Sequence, residues 1–279
     1  MGAKEVFVSD YWKERQAQAQ ATLTQKGIEA TEKQLQRYYK TTMLNVIDSF
    51  EKVYMKLQLN IAEGITPTPA DLYRLDSYWT MQAQLREELQ RLGDKQAVQM
   101  ARDFTNQYRT AYRALALQDG GSFSQISKET AQQMINQIWA ADGQSWSSRI
   151  WKNTSKLQEE LNEKLIDCVL TGKSTEVLKR DLMERFSVSY SRADSIVRTE
   201  YNHIQTQAAQ QRYKDMGVEM VQVWADYDER RCDACGKLHE KKYSVHDRMP
   251  IPAHPRCRCT IIPVIDTQVH GEQLKLEGF

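Results

Sequence analysis

The sequence predicts a mainly α protein: a long helical N-terminal part followed by a small C-terminal α+β module stabilised by metal. Three observations predict it. Apolar residues recur at steps of three and four over long stretches, the period of one face of a helix. Gly, Pro and capping residues fall between those stretches. From Trp224 to Val264 the texture changes: this segment holds four of the five cysteines, three of the five histidines and four of the six prolines. Soft ligands concentrated in a loop-rich segment suggest a structure built on metal rather than on a packed core.

Taken in order, Ser9 and Asp10 can cap a first helix that stops near Gly27. A second runs from about Glu29 to Ala62, with Met43, Val46, Ile47, Phe50, Val53, Tyr54, Leu57 and Ile61 on one stripe. The segment Gly64 to Pro69 breaks it. Thr68 suits an N-cap, Pro69 the first helical position and Asp71 the first turn. Tyr78, Met81, Leu85, Leu89 and Leu92 form the next stripe, punctuated by Gly93-Asp94, and another helix runs to about Leu117. Long neighbours joined by short turns are expected to pack antiparallel.

Asp119 to Ser122 reads as a turn. Ser127 starts a helix that Asp142-Gly143 ends, and Ser145 opens the next, which stops at Thr171-Gly172. Ser174 caps another, Ser189 or Ser191 begins the last long one, and Gly217 closes it. Val218 to Trp224 reads as a strand, and so does Cys259 to Ile265, where Pro263 favours an edge. The expected division is residues 1–143 as a long-helix region, 144–266 as the C-terminal domain with its metal module at 224–264, and 267–279 as a flexible tail.

The 279 residues carry 38 Lys plus Arg against 37 Asp plus Glu, a balance that argues against a general nucleic-acid glove. Weak DNA contact through a local patch such as Arg102, Arg109 and Arg113 stays open. No apolar run reaches the roughly 18 residues of a membrane helix. The N-terminus lacks a secretory h-region, and Val6 breaks a myristoylation motif. CxxC and CxC clustering fits an intracellular, reduced protein with one metal site.

Zinc favours four thiolate or imidazole ligands in a tetrahedron. Cys232 and Cys235 have the C-x2-C spacing of a knuckle turn. Either Cys257 and Cys259 complete the site, or His254 and one of those cysteines do. So thiolate-rich a site is a poor Lewis acid, which points to a structural ion. Eight Lys/Arg outnumber five Asp/Glu from Asp228 to Cys259; Arg230, Arg231, Arg256 and Arg258 are read as balancing sulfur charge. On the preceding helix Glu200 falls on the apolar face of Ala193, Ile196, Val197, Ile204 and Ala208. It is either buried with a cation or amide partner or partly exposed at the stripe's edge.

In their order, the helix from Trp146 to Ser174, Val197-Arg198-Thr199-Glu200, Cys232 to Cys235 and His254 to Cys259 resemble the phage minor head protein family, the phage Mu F-like head-morphogenesis domain. The resemblance covers about Trp146 to Val264. It implies a structural virion component, located in the head near the portal vertex and in host cytoplasm during assembly, and working with portal and major capsid protein. It implies metal ligation by Cys232, Cys235, His254, Cys257 and Cys259, with zinc as the structural ion, and bracing by Arg198 and Glu200. No catalytic residue is implied. Where relatives often show LxG after the CxxC, this chain has Leu238-His239-Glu240. Some relatives carry an appended toxin or transferase domain, and the short tail after Val264 leads us to expect none here. The alternatives are a DNA-binding protein packaged with the genome, or a zinc nuclease of HNH type using His246, His254 and Asp247, although the segment from Asp226 to Ile265 contains no Asn.

Overall fold

A computed structural model describes residues 10–62, 68–74, 76–118, 125–225 and 231–264. The expected caps at Ser9 and Asp10, the turns at 64–67 and 119–122 and the tail 267–279 lie outside the described residues or side chains. The elements are α1 (Asp10–Ala62), α2 (Pro69–Tyr73), α3 (Asp76–Gln118), α4 (Lys128–Ile135), α5 (Trp146–Thr171), α6 (Thr175–Asp215), β1 (Met220–Trp224), α7 (Asp233–Leu238), β2 (Lys242–Ser244) and β3 (Thr260–Pro263). They form two compact units, one of residues 1–29, 103–135 and 198–279, the other of 30–102 and 136–197. No helix among the described residues is long and apolar enough to cross a membrane.

The unit of residues 30–102 and 136–197 is a bundle of segments of α1, α3, α5 and α6. Side-chain pairs give their directions. Tyr38 bonds Gln99, Tyr39 bonds Gln96 and Asn45 bonds Glu88, so α1 and α3 run antiparallel, as short connections require. Asn153 donates to Tyr39 and Tyr54 donates to the Cys168 carbonyl, so α5 runs parallel to α1. Leu35, Val46, Phe50, Leu85, Leu89, Leu157, Leu161 and Leu182 fill the interior. A buried polar knot sits among them: the Tyr39 hydroxyl meets Ser189 Oγ at 3.2 Å, and Asn153 donates to the Ser189 carbonyl at 2.9 Å. Burial pushes the Tyr39 phenol up to about 12, so it stays a neutral donor.

Local capping follows the sequence closely. Thr68 and Asp71 form a capping box with Pro69 in the first turn of α2. Ser145 accepts from the Ser148 N–H at the start of α5, and Gly172 ends that helix at φ +60°. Ser174 accepts from the Val177 N–H, and Gly217 closes α6 at φ +74°.

Four expected breaks are absent or displaced, for tertiary reasons. Gly27 lies inside α1, where an added Cβ would stand 2.4 Å from Tyr201 Cε1 and 2.8 Å from Gln107 Oε1. Gly93 lies inside α3, where a Cβ would stand 2.4 Å from the Trp151 ring. Both glycines serve close helix approach, not termination. Ser189 starts no helix, because its hydroxyl is spent on Tyr39 within a continuous α6. The helix opened by Ser127 ends at Ile135, well short of Gly143, after burying only Ala131 and Ile135.

In the other unit, segments of α1, α3 and α6 carry the sheet β2-β1-β3, antiparallel throughout. β3 is an edge, so Pro263 costs no ladder bond that a neighbour needs. Gln20 of α1 is the junction. Its Nε2 donates to Tyr213 Oη and the Ile261 carbonyl, and its Oε1 accepts from Gln205 Nε2 and Thr260 Oγ1. All four bonding positions of a buried amide are thereby used. Ala209 and Tyr213 of α6 and Leu115 of α3 join Val221, Val223, Val245, Ile251 and Ile261 in one apolar core. Cys235, Cys257 and Cys259 belong to that core. The expectation of a metal frame in place of a packed core is therefore corrected: the cysteines cap a core that exists.

Gly93→Ala and Gly27→Ala are expected to destabilise the protein. Alanine's helix preference is worth about 1 kcal/mol, but overpacking against a rigid ring costs about 1–3 kcal/mol. Urea unfolding should show a net loss, partly restored for Gly93→Ala when Trp151 is also shortened to Leu.

Candidate metal centre

The C-x2-C pair is shaped by α7. Cys232 is its N-cap, with extended backbone, and its sulfur accepts from the Cys235 N–H at 3.4 Å. That bond turns both thiols to the same side. The second loop makes a matching turn: the Cys257 N–H donates to the His254 carbonyl at 3.2 Å, with Arg256 at φ +62° between them. The two turns place His254 Nε2 3.3 Å from Cys232 Sγ and 3.1 Å from Cys235 Sγ, and Cys235 Sγ 3.8 Å from Cys257 Sγ. Two groups of donors result, Cys232 with Cys235 and His254, and Cys235 with Cys257 and Cys259. Within each group the ligand atoms lie within 4.8 Å of one another.

Each group could hold a small cation. A tetrahedron with Zn–S near 2.3 Å and Zn–N near 2.0–2.1 Å has S···S edges of about 3.8 Å and S···N edges of about 3.6 Å. The His254 Nδ1 lies 2.8 Å from the Pro255 carbonyl and donates to it. In the neutral ring that leaves Nε2 as the lone-pair nitrogen facing the sulfurs, the tautomer a metal ligand needs.

The sulfurs are electrostatically coupled. A hydrogen bond from Cys259 holds the Cys257 thiol down to about 5. Burial pushes Cys235 up to about 12, and the hydrogen bond to Cys257 pushes Cys259 well above the usual thiol range. The backbone N–H of Cys235 holds Cys232 below its ordinary value. The Pro255 carbonyl raises His254. Without a cation, then, one thiolate suppresses ionisation of its neighbours, because adjacent anions repel. A divalent ion among them reverses that sign and favours several thiolates at once.

Helix α6 anchors the ligand loops by its backbone-directed side chains. Thr199 Oγ1 accepts from the Arg256 N–H at 3.0 Å, and Asn202 donates to the Cys259 carbonyl at 2.7 Å. Gln210 donates to the carbonyls of Val245 and Asp247. Sequence reading singled out Arg198 and Glu200 and missed Thr199 and Asn202. The i, i+3 spacing of Thr199 and Asn202 puts them on one face of α6, but that face also carries Ser195 and Thr206, so nothing in the sequence set the pair apart. Glu200 is buried, which settles its place on the apolar face, and Arg198 is half-buried.

Arg231, Arg256 and Arg258 line a cavity of about 30 Å³ against the cysteines, where positive charge offsets thiolate charge. Arg230 lies outside the described residues. His239 is turned away from the sulfurs: its Nδ1 accepts from the Ala225 N–H and its ring packs on Trp224 at 4.8 Å. His246 is exposed and Asp247 accepts from the Ser244 N–H, a turn role. Arg102 donates to Gln99, and Arg109 to the Ile126 carbonyl.

The turn after the knuckle resolves the Leu238-His239-Glu240 departure. Glu240 itself adopts φ +60°, the conformation that glycine takes without penalty. A left-handed residue other than Gly costs about 1–2 kcal/mol, against about 0.5–1 kcal/mol for the extra entropy glycine loses. Glu240→Gly is therefore expected to raise stability by about 0.5–1 kcal/mol, read as a higher urea midpoint with unchanged m-value.

Residues 159–262 match the family model described as Phage Mu protein F like protein. The chain is also similar, at 28% identity over 142 residues, to the NAD(+)–arginine ADP-ribosyltransferase EFV of Enterococcus faecalis; the match covers 44% of this chain and 29% of that protein. No solved structure matches it significantly.

Proposed function

We propose, from the match of residues 159–262 to the Phage Mu protein F like family model, that the chain is a phage minor head protein. It acts in head morphogenesis with portal and major capsid protein, as a structural and not a catalytic component. The observation that carries this reading is the ordered set of family elements converging on one site: α6, with its Val197 to Glu200 segment, anchors the HPRCRC loop against the CxxC knuckle. The transferase activity named for the Enterococcus faecalis relative is that protein's own, and this chain matches only 29% of its length. In the virion the protein would sit in the head near the portal vertex, with the helices of residues 1–143 as the docking region.

The ion proposed for the C-terminal module is zinc, held by Cys232, Cys235, His254 and Cys257. Both pairs have two intervening residues and both close through an i to i+3 contact to the second ligand's N–H. Cys259, the fifth donor, adjoins Cys257 and is fixed by Asn202 through its carbonyl. Arg198 and Glu200 brace the helix behind it. The metal would supply a cross-link between two loops, since three sulfurs leave it little Lewis acidity.

Chelation or Cys232→Ser is expected to unfold the C-terminal module while most helical circular dichroism persists, because binding and folding of such a module are linked. Metal analysis of the purified protein should find about one zinc per chain; a fully folded, metal-free preparation would contradict the assignment. Phage lacking the gene should yield particles with reduced DNA content or infectivity. Particles indistinguishable from wild type would remove the assembly role.

A further inference from the structure

A cleft of about 460 Å³ opens between the first turns of α1 and the end of α3, away from the sulfur cluster. Its floor includes Gln20 and Gln205, both buried, and their amides are spent on each other, on Gln107, and on Tyr213, Ile261 and Thr260. Gln20 therefore has no bonding position left for a ligand. Ala111, Leu115, Ala19, Leu23 and Ala114 supply the apolar part of the lining, with Gln18 and Thr22 of α1 beside them. Three alanines leave room for another backbone to approach closely. At the rim stand Arg15 and Lys26, and no acidic residue lines the cleft among the described residues.

The two cations are eleven positions apart on α1, about 16 Å along the axis. Arg15 also holds an exposed aromatic pair at its end of the cleft. Its Nη1 donates to Tyr11 Oη at 3.2 Å, and its guanidinium stands 5.8 Å from the Trp12 ring centre. Tyr11 and Trp12 are 61% and 58% exposed, side chains that commonly cover a partner. An apolar trough with small residues, a cation at each end and aromatics at one lip is complementary to one kind of surface.

We propose that this cleft docks an amphipathic helix of a partner protein, about three turns long, whose apolar stripe is bracketed by carboxylates. The carboxylates pair with Arg15 and Lys26, and the stripe lies along Ala19, Leu23 and Ala114 in the helix-in-groove manner. So short a helix covers less surface than a stable interface requires, so the contact is a reversible one. The inference does not depend on the head-protein reading or on the metal.

The test uses the full chain and two synthetic helical peptides with the same Leu/Ala stripe, one flanked by Glu and one by Lys. Fluorescence anisotropy at low ionic strength should give micromolar binding of the Glu peptide and at least tenfold weaker binding of the Lys peptide. Arg15→Glu with Lys26→Glu should weaken the Glu peptide at least tenfold and reverse the preference. Ala19→Trp, on an exposed wall, should block both peptides with unchanged circular dichroism. Equal binding of the two peptides, binding insensitive to Ala19→Trp, or binding of neither overturns the proposal. So does self-association in sedimentation that Arg15→Glu abolishes, which would make a second copy the occupant. Tighter peptide binding after removal of residues 265–279 would make the chain's own end the occupant and overturn it equally.

Discussion

Repulsion among crowded sulfurs is the constraint on which the C-terminal module depends. Cys235, Cys257 and Cys259 lie in one group within 4.8 Å, and Cys235 is shared with Cys232 and His254. Thiolates cannot accumulate at such separations unless something positive stands among or beside them. Arg231, Arg256 and Arg258 supply part of that charge from the rim. A divalent cation held there would supply the rest.

Short irregular loops hold such a cluster only if their backbones are fixed elsewhere, and α6 does this. Thr199, Asn202 and Gln210 each satisfy a backbone group of the loops or the turn at β2, and Tyr213 donates to the β3 carbonyl of Ile261. The buried Cys259 carbonyl would otherwise be left unpaired, at about 1–3 kcal/mol. The loops are therefore held by α6 on one side and bring their donor side chains together on the other. The apolar core beneath, from Leu115 and Ala209 to Val245 and Ile261, makes the two devices cooperative.

Much of the architecture was legible in the residues alone. The stripes at steps of three and four, the caps at Thr68, Ser145, Ser174 and Gly217 and the strand leading to Trp224 depend on local geometry, and each stands where the sequence put it. The site was legible too, as far as its donor types and spacing. What failed was punctuation. Gly27, Gly93 and Ser189 have the chemistry of helix ends yet lie inside helices, because Tyr201, Trp151 and Tyr39 stand against them. β2 and α7 were missed because three to six residues carry too little periodicity to read.

The sequence by itself determined a mainly helical chain with soft donors gathered at its C-terminal end, because period, capping and ligand spacing are properties of neighbours along the chain. Tertiary structure alone decided which glycines are contacts and which are ends. It also decided that Glu240 takes a glycine's conformation, that Thr199 and Asn202 carry the loops, and that His254 turns its Nε2 toward the sulfurs. The reason is the same in each case: the partner that fixes the residue is supplied by a segment remote in sequence, or by a backbone angle that no residue type announces.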